Sequence, residues 1–199
     1  ADLSQPAGPA ALLAAVADLE IGLLVNNAGL GRVGRFDLLE AERLRALVAV
    51  QCEAPLLLSH ALVQGMRERG RGGILFTGGV AGHLPLPLHA VYAATKAFQL
   101  SLGEALWAEL RASNIDVGVL EPGATESEFQ ERAGEIAHPG ERPEQIARRG
   151  LTALGQQPSV SVGWLDWLRI NLASRLLTRP IAAQVAYAVR MRRTPEELR

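Results

Sequence analysis

The chain has 199 residues, 48% of them hydrophobic and 21% charged, with a formal net charge of −1 at pH 7. That make-up suits one globular domain with a buried core. It leaves no electrostatic footprint for nucleic acid, no apolar run reaches the length of a membrane span, and the single cysteine, Cys52, excludes an internal disulfide framework.

Ala and Leu dominate from Pro9 to Leu19 and Gly22 follows, which predicts a helix. Leu23-Leu24-Val25-Asn26 reads as a short buried strand that runs into the turn Asn26-Asn27-Ala28-Gly29. From Leu39 to Arg69 the apolar residues Leu44, Leu47, Val48, Leu57, Leu58, Ala61 and Leu62 keep helical spacing, and Gly70-Arg71-Gly72-Gly73 is the stop. Pro55 is expected to kink that helix or to mark its middle. A strand at 74–77 enters the glycine loop Gly78 to Gly82, and a helix at 90–112 and a strand at 115–120 follow. This alternation implies a parallel sheet with helices on both faces. The Glu- and Gly-rich stretch 123–142 has no clear period. Pro143 then restarts a helix at its first turn, and Ser159–Val162 is a candidate last strand. From Trp164 to Arg179 apolar and basic residues alternate as on an amphipathic helix. The stronger reading is a lid helix or subunit contact, the weaker one attachment to a membrane surface. Arg190 to Arg193 read as a solvated helix end.

The segment Tyr92-Ala93-Ala94-Thr95-Lys96 sets a phenol and an ammonium one helical turn apart on one face. A cation near a phenol lowers its pKa from about 10 toward working pH. Such a group suits proton exchange with an alcohol or ketone.

The order of motifs is an NNAG turn after a strand, a strand ending in glycines, Y-x-x-x-K, and a strand ending in Glu121-Pro122-Gly123. It closely resembles the short-chain dehydrogenase/reductase family up to about residue 130. The resemblance implies an α/β fold, a Rossmann-like doubly wound parallel sheet forming one domain over 1–199. In it, 123–142 is the substrate lid and 163–199 a C-terminal helical extension. Family members open with a strand, a TGxxxGxG turn and a helix that hold the dinucleotide pyrophosphate. No such motif occurs here, so two opening β-α units of roughly 30 residues each are expected to lie outside this sequence. Asp2 and Leu3 then correspond to the end of the family's third strand, beside the adenine.

Carried over by position, Tyr92 transfers the proton, and Lys96 lowers its pKa and binds the nicotinamide ribose. Asn27, Ala28 and Gly29 line the adenosine side, and Pro122, Gly123 and Thr125 border the nicotinamide. The family's catalytic Asn and Ser correspond to Gln51 and Gly79, the latter 13 residues before Tyr92. Glycine donates nothing from a side chain, and loss of one oxyanion donor costs about 10²–10³ in rate. Thr77, His83 and His89 are candidate substitutes, and both histidines also read as ordinary loop residues. The implied function is hydride transfer between NAD(P), with NADP slightly favoured, and a small, apolar carbonyl or alcohol substrate. No metal is expected. A cytoplasmic homodimer or homotetramer is implied. The alternative is a catalytically impaired relative that binds a nucleotide or a protein, or an inactive fragment.

Overall fold

The computed structural model describes residues 1–136, 139–163, 168, 172 and 176–199. Most of the amphipathic stretch 164–179 therefore lies outside the described residues. In chain order the elements are α1 (Gly8–Ala15), β1 (Leu23–Asn26), α2 (Ala41–Val48), a π turn (Ala49–Glu53), α3 (Ala54–Arg69), β2 (Gly72–Thr77), α4 (Ala90–Leu110), β3 (Ile115–Glu121), α5 (Phe129–Ala133), α6 (Pro143–Ala153), β4 (Ser159–Ser161) and α7 (Arg179–Met191).

The four strands form one sheet in the order β1-β2-β3-β4, and every pairing is parallel. Side chains alternate along each strand, so each face collects its own core. Ile74 and Phe76 of β2 join Val117 and Val119 of β3 on one face, packed with Met66 of α3 and with Leu100 and Leu110 of α4. Leu75 and Leu120 point the other way and meet Ile146 of α6 and Val162. Helices thus cover both faces, the doubly wound arrangement. Near-continuous apolar runs in β2 and β3 follow from burial on two sides. At β1, the edge of this sheet, Leu23 and Val25 are exposed.

Two local expectations change and a third is sharpened. The first helix ends at Ala15, and residues 16–19 form turns. Pro55 does mark the middle of the long helix, and the irregularity there is the π turn centred on Gln51 just before it. A wider turn just upstream accommodates a proline in the first turn of α3, where its ring would crowd a regular helix. Finally, the continuous helical stretch Ala41–Arg69 is long and apolar enough to span a membrane by length and composition alone. Here Leu47, Val50, Leu58 and Met66 are buried in the protein.

Gly103 lets α4 settle onto β3. A Cβ there would stand 2.3 Å from Val119 Cγ2 and 3.1 Å from Phe76 Cδ2. Gly103→Ala should therefore destabilise the fold by about 1–3 kcal/mol through overpacking. Trimming the neighbour in Gly103→Ala/Val119→Ala should recover part of that loss. Urea unfolding of the double-mutant cycle measures the coupling, and strict additivity would remove the argument.

Candidate active site at the carboxyl end of the sheet

The carboxyl ends of adjacent parallel strands make the crevice of an open α/β sheet. Here three strand ends and one helix are tied together. Lys96 of α4 is buried, and its Nζ donates to the Thr77 carbonyl at the end of β2 (2.7 Å) and to Gln99 Oε1 (3.2 Å). The Thr77 hydroxyl donates to Asn27 Oδ1 beyond the end of β1 (3.1 Å). Val80 N–H donates to the Pro122 carbonyl beyond β3 (3.2 Å). Thr77 is therefore committed to Asn27, which weakens its candidacy as a replacement donor.

Gln51 is fully buried. Its Oε1 accepts from Leu30 N–H (2.6 Å), and its Nε2 donates to Thr95 Oγ1 (2.5 Å), which itself donates to the Tyr92 carbonyl (2.8 Å). The π turn aims this carboxamide between the NNAG turn and α4, so Gln51 positions both. Asn27, Ala28 and Gly29 are exposed at that turn, and a Cβ on Gly29 would lie 3.3 Å from Gln51 Oε1.

Gly79 is buried with φ +151°, a backbone state that side chains rarely adopt, although a Cβ would meet only the Pro122 carbonyl at 3.5 Å. Space exists for a serine, but the backbone opposes it. Pro122, Gly123 and Thr125 follow β3, and Thr125 bridges to Glu141 across the segment 123–142. Asp2 lies apart in an exposed turn. Its Oδ1 accepts from the backbone and hydroxyl of Ser4, which lowers its pKa, and Leu3 is half-buried beside it.

Lys96 Nζ lies 5.5 Å from the Tyr92 ring centroid. The expected drop in the Tyr92 pKa does not follow. Burial pushes it up to about 12, Glu135 adds to the rise, and Arg190 opposes it. Burial also pulls Lys96 down to about 8. In the protein alone Tyr92 is thus a fully protonated phenol. Among the described residues no protein group bonds its hydroxyl.

The neighbourhood of Tyr92 holds His89, one of the candidate donors read from the sequence, and groups that the sequence did not single out. Its ring meets His89 edge-on (5.5 Å between centroids) and Phe129 of α5 (5.5 Å). Arg190 of α7 donates to His89 Nδ1 and to Glu135 Oε1 (2.6 Å). Arg190 is therefore no solvated helix end, because its side chain is only 15% exposed. No local pattern could have found this pair, since the two residues stand 101 positions apart. Burial and then Arg190 lower the His89 pKa to about 3. His83 is engaged differently. Its Nε2 meets the buried Glu121 carboxylate, which raises its pKa.

A sequence model of short chain dehydrogenases matches residues 1–136. A very-long-chain 3-oxoacyl-CoA reductase of Laccaria bicolor is 37% identical over 101 residues, 50% of this chain and 30% of that protein. An inactive 2-(S)-hydroxypropyl-CoM dehydrogenase of Xanthobacter autotrophicus is 33% identical over 159 residues, 76% of this chain and 69% of that protein. The solved structure of a short-chain dehydrogenase from Sphingobium yanoikuyae in complex with NADPH superposes with a TM-score of 0.75 at 30% identity. That match covers 88% of this chain and 72% of the other. The chain thus spans about a third of the Laccaria reductase's length.

Gln51→Leu should cost about 1–3 kcal/mol, because it orphans the Leu30 N–H and removes the donor to Thr95. A fall in urea midpoint at unchanged m checks it. His89 gives a pH signature. Its folded-state pKa lies below the ordinary 6.5, so the unfolded chain takes up a proton that the native state refuses. The resulting loss of stability grows as pH falls from 6.5 toward 3. Unfolding midpoints across that range should fall more steeply for the wild type than for His89→Gln.

Proposed function

The chain belongs to the short-chain dehydrogenase family, and on that premise we propose that the protein as its host makes it reduces an apolar carbonyl compound with NAD(P)H, a long 3-oxoacyl thioester being the favoured substrate. The observation that carries this reading is the convergence of Tyr92, Lys96, Asn27 and Pro122 at one end of the sheet, through the bonds to Thr77 and Val80. The substrate class is taken from the Laccaria relative. It is supported by the apolar loop Leu84-Pro85-Leu86-Pro87-Leu88 that leads to His89. NADP is favoured over NAD because the Sphingobium neighbour carries NADPH.

The residues fit a dinucleotide. An ammonium has three donors, and Lys96 uses two on Thr77 and Gln99, which leaves one for a ribose hydroxyl. Exposed Asn27, Ala28 and Gly29 offer a surface for the adenosine side, and Pro122, Gly123 and Thr125 border the nicotinamide. When bound, the cofactor supplies the hydride. Tyr92 supplies the proton to the carbonyl oxygen, and its protonated state in the protein alone suits the reductive direction. Phe129 and the lid segment shield the phenol on one side. Exposed Leu56 and Leu57 on α3 and Phe98 on α4 support the homo-oligomer that family resemblance implies.

A second reading has its own support. Gly79 lacks the family's serine hydroxyl, and the Xanthobacter relative is named as inactive. In that case the protein binds a nucleotide without turning over a carbonyl.

The test is NADPH oxidation by the full-length protein with a long-chain 3-oxoacyl-CoA, beside NADPH binding by calorimetry. Turnover in the wild type, reduced about 10²–10⁴-fold in Tyr92→Phe with NADPH binding retained, is expected. Binding without turnover would favour the second reading. Absence of both would sink both.

A further inference from the structure

Resting on the reductase reading above, we infer that His89, held by Arg190, is the hydrogen-bond donor to the substrate carbonyl oxygen, in place of the side chain that Gly79 lacks. The other side chains weighed as donors, Gln51, Thr77 and His83, are engaged elsewhere, and the buried Gln99 Nε2, which has no partner, belongs to the carboxamide that accepts from Lys96. Both ends of the Gln51 carboxamide are used by Leu30 and Thr95. The Thr77 hydroxyl goes to Asn27. His83 Nε2 faces the Glu121 carboxylate.

His89 differs from all of these. It is buried, it stands immediately before α4 with its ring free of any capping bond to that helix, and that ring meets the Tyr92 ring one helical turn along. Arg190 can only donate, so Nδ1 facing the guanidinium must be an acceptor. That fixes the neutral tautomer with its hydrogen on Nε2. The contact of Nε2 with the same guanidinium nitrogen, at 3.2 Å, brings a donor to a donor and satisfies nothing. Among the described residues no acceptor serves that N–H. A buried donor without a partner is unfavourable, and a carbonyl oxygen brought beside the Tyr92 hydroxyl would relieve it.

Three features keep the imidazole uncharged. Burial and the Arg190 charge both disfavour protonation, and the N-terminus of α4 adds its positive dipole. Glu135, the one acidic group facing this cluster in the described residues, is ion-paired to Arg190. A neutral imidazole donates a hydrogen bond and keeps its proton. The proton found in the alcohol product therefore comes from Tyr92, and the balance of the reduction is unchanged. Arg190 and Glu135 are positioning residues, and through them α7 and the segment after α5 become part of the site.

The experiment uses the full-length protein with NADPH and a long-chain 3-oxoacyl-CoA, plus ¹⁵N imidazole NMR of the complex with NADP⁺ and the same thioester, which cannot turn over. His89→Leu should lower kcat about 10²-fold with KM changed only a few-fold. His89→Gln, which retains an N–H donor, should recover part of the loss. In the wild type, the His89 signals should report the Nε2–H neutral tautomer from pH 5 to 8, and that signal should move when the thioester is added. An active wild type with His89→Leu at nearly full kcat would overturn the inference and leave the reductase reading intact. An inactive wild type would sink the reductase reading, and the NMR would then decide His89. An Nδ1–H or charged ring, or a signal unmoved by the thioester, overturns the inference, and the expected tautomer with a moved signal supports carbonyl binding. Because the NMR arm uses the wild type, misfolding of His89→Leu leaves the question decidable.

Discussion

The burial of one ammonium organises this site. Lys96 is nearly withdrawn from water, and a charge so placed must find oxygen acceptors or lose its proton. Both happen in part. Its Nζ reaches the Thr77 carbonyl and Gln99 Oε1, while its pKa falls to about 8. The bond to Thr77 requires α4 to lie across the end of β2, which brings Tyr92 to the sheet's carboxyl end. The Thr77 hydroxyl then fixes Asn27, so the turn after β1 is set by the same residue that receives the lysine. A Lys-to-Met change would remove the charge but also the link between helix and strand.

The second constraint is the buried carboxamide of Gln51. A π turn costs helical regularity, and such turns are frequent at functional sites. Its return here is a side chain that reaches both the Leu30 backbone and Thr95. The glutamine links the turn after β1 to α4, and both ends of its carboxamide are used in doing so. Gly79 is the opposite case, a position with no side chain to donate and a backbone conformation that suits glycine.

The parallel sheet supplies the rigid frame beneath these contacts. Two cores form on its two faces because β2 and β3 are apolar on both sides. Gly103 removes the Cβ that would hold α4 away from Val119. The site therefore depends on a helix–sheet distance set by a residue far from the chemistry. On the open side, α7 returns from the end of the chain and places Arg190 against His89 and Glu135, which joins the C-terminal segment to the surroundings of Tyr92.

Several features were legible in the sequence because they depend on local order. Strand–helix alternation, the glycine stops, the NNAG turn and the Tyr92–Lys96 spacing are properties of neighbouring residues, and the strands and helices expected between residues 9 and 162 appeared within a few positions of their expected bounds. Tertiary structure alone decided the rest. The pKa of Tyr92 was expected to fall because Lys96 is one turn away, but burial and Glu135 outweigh that proximity. Arg190 looked like a solvated end because its helix is basic there, yet its partner His89 is 101 residues distant. Thr77 looked free to donate until the end of β1 came beside it. Helical and strand periodicity are encoded over a few residues, whereas desolvation and long-range pairing depend on which surfaces the fold brings together, and no spacing in the sequence records that.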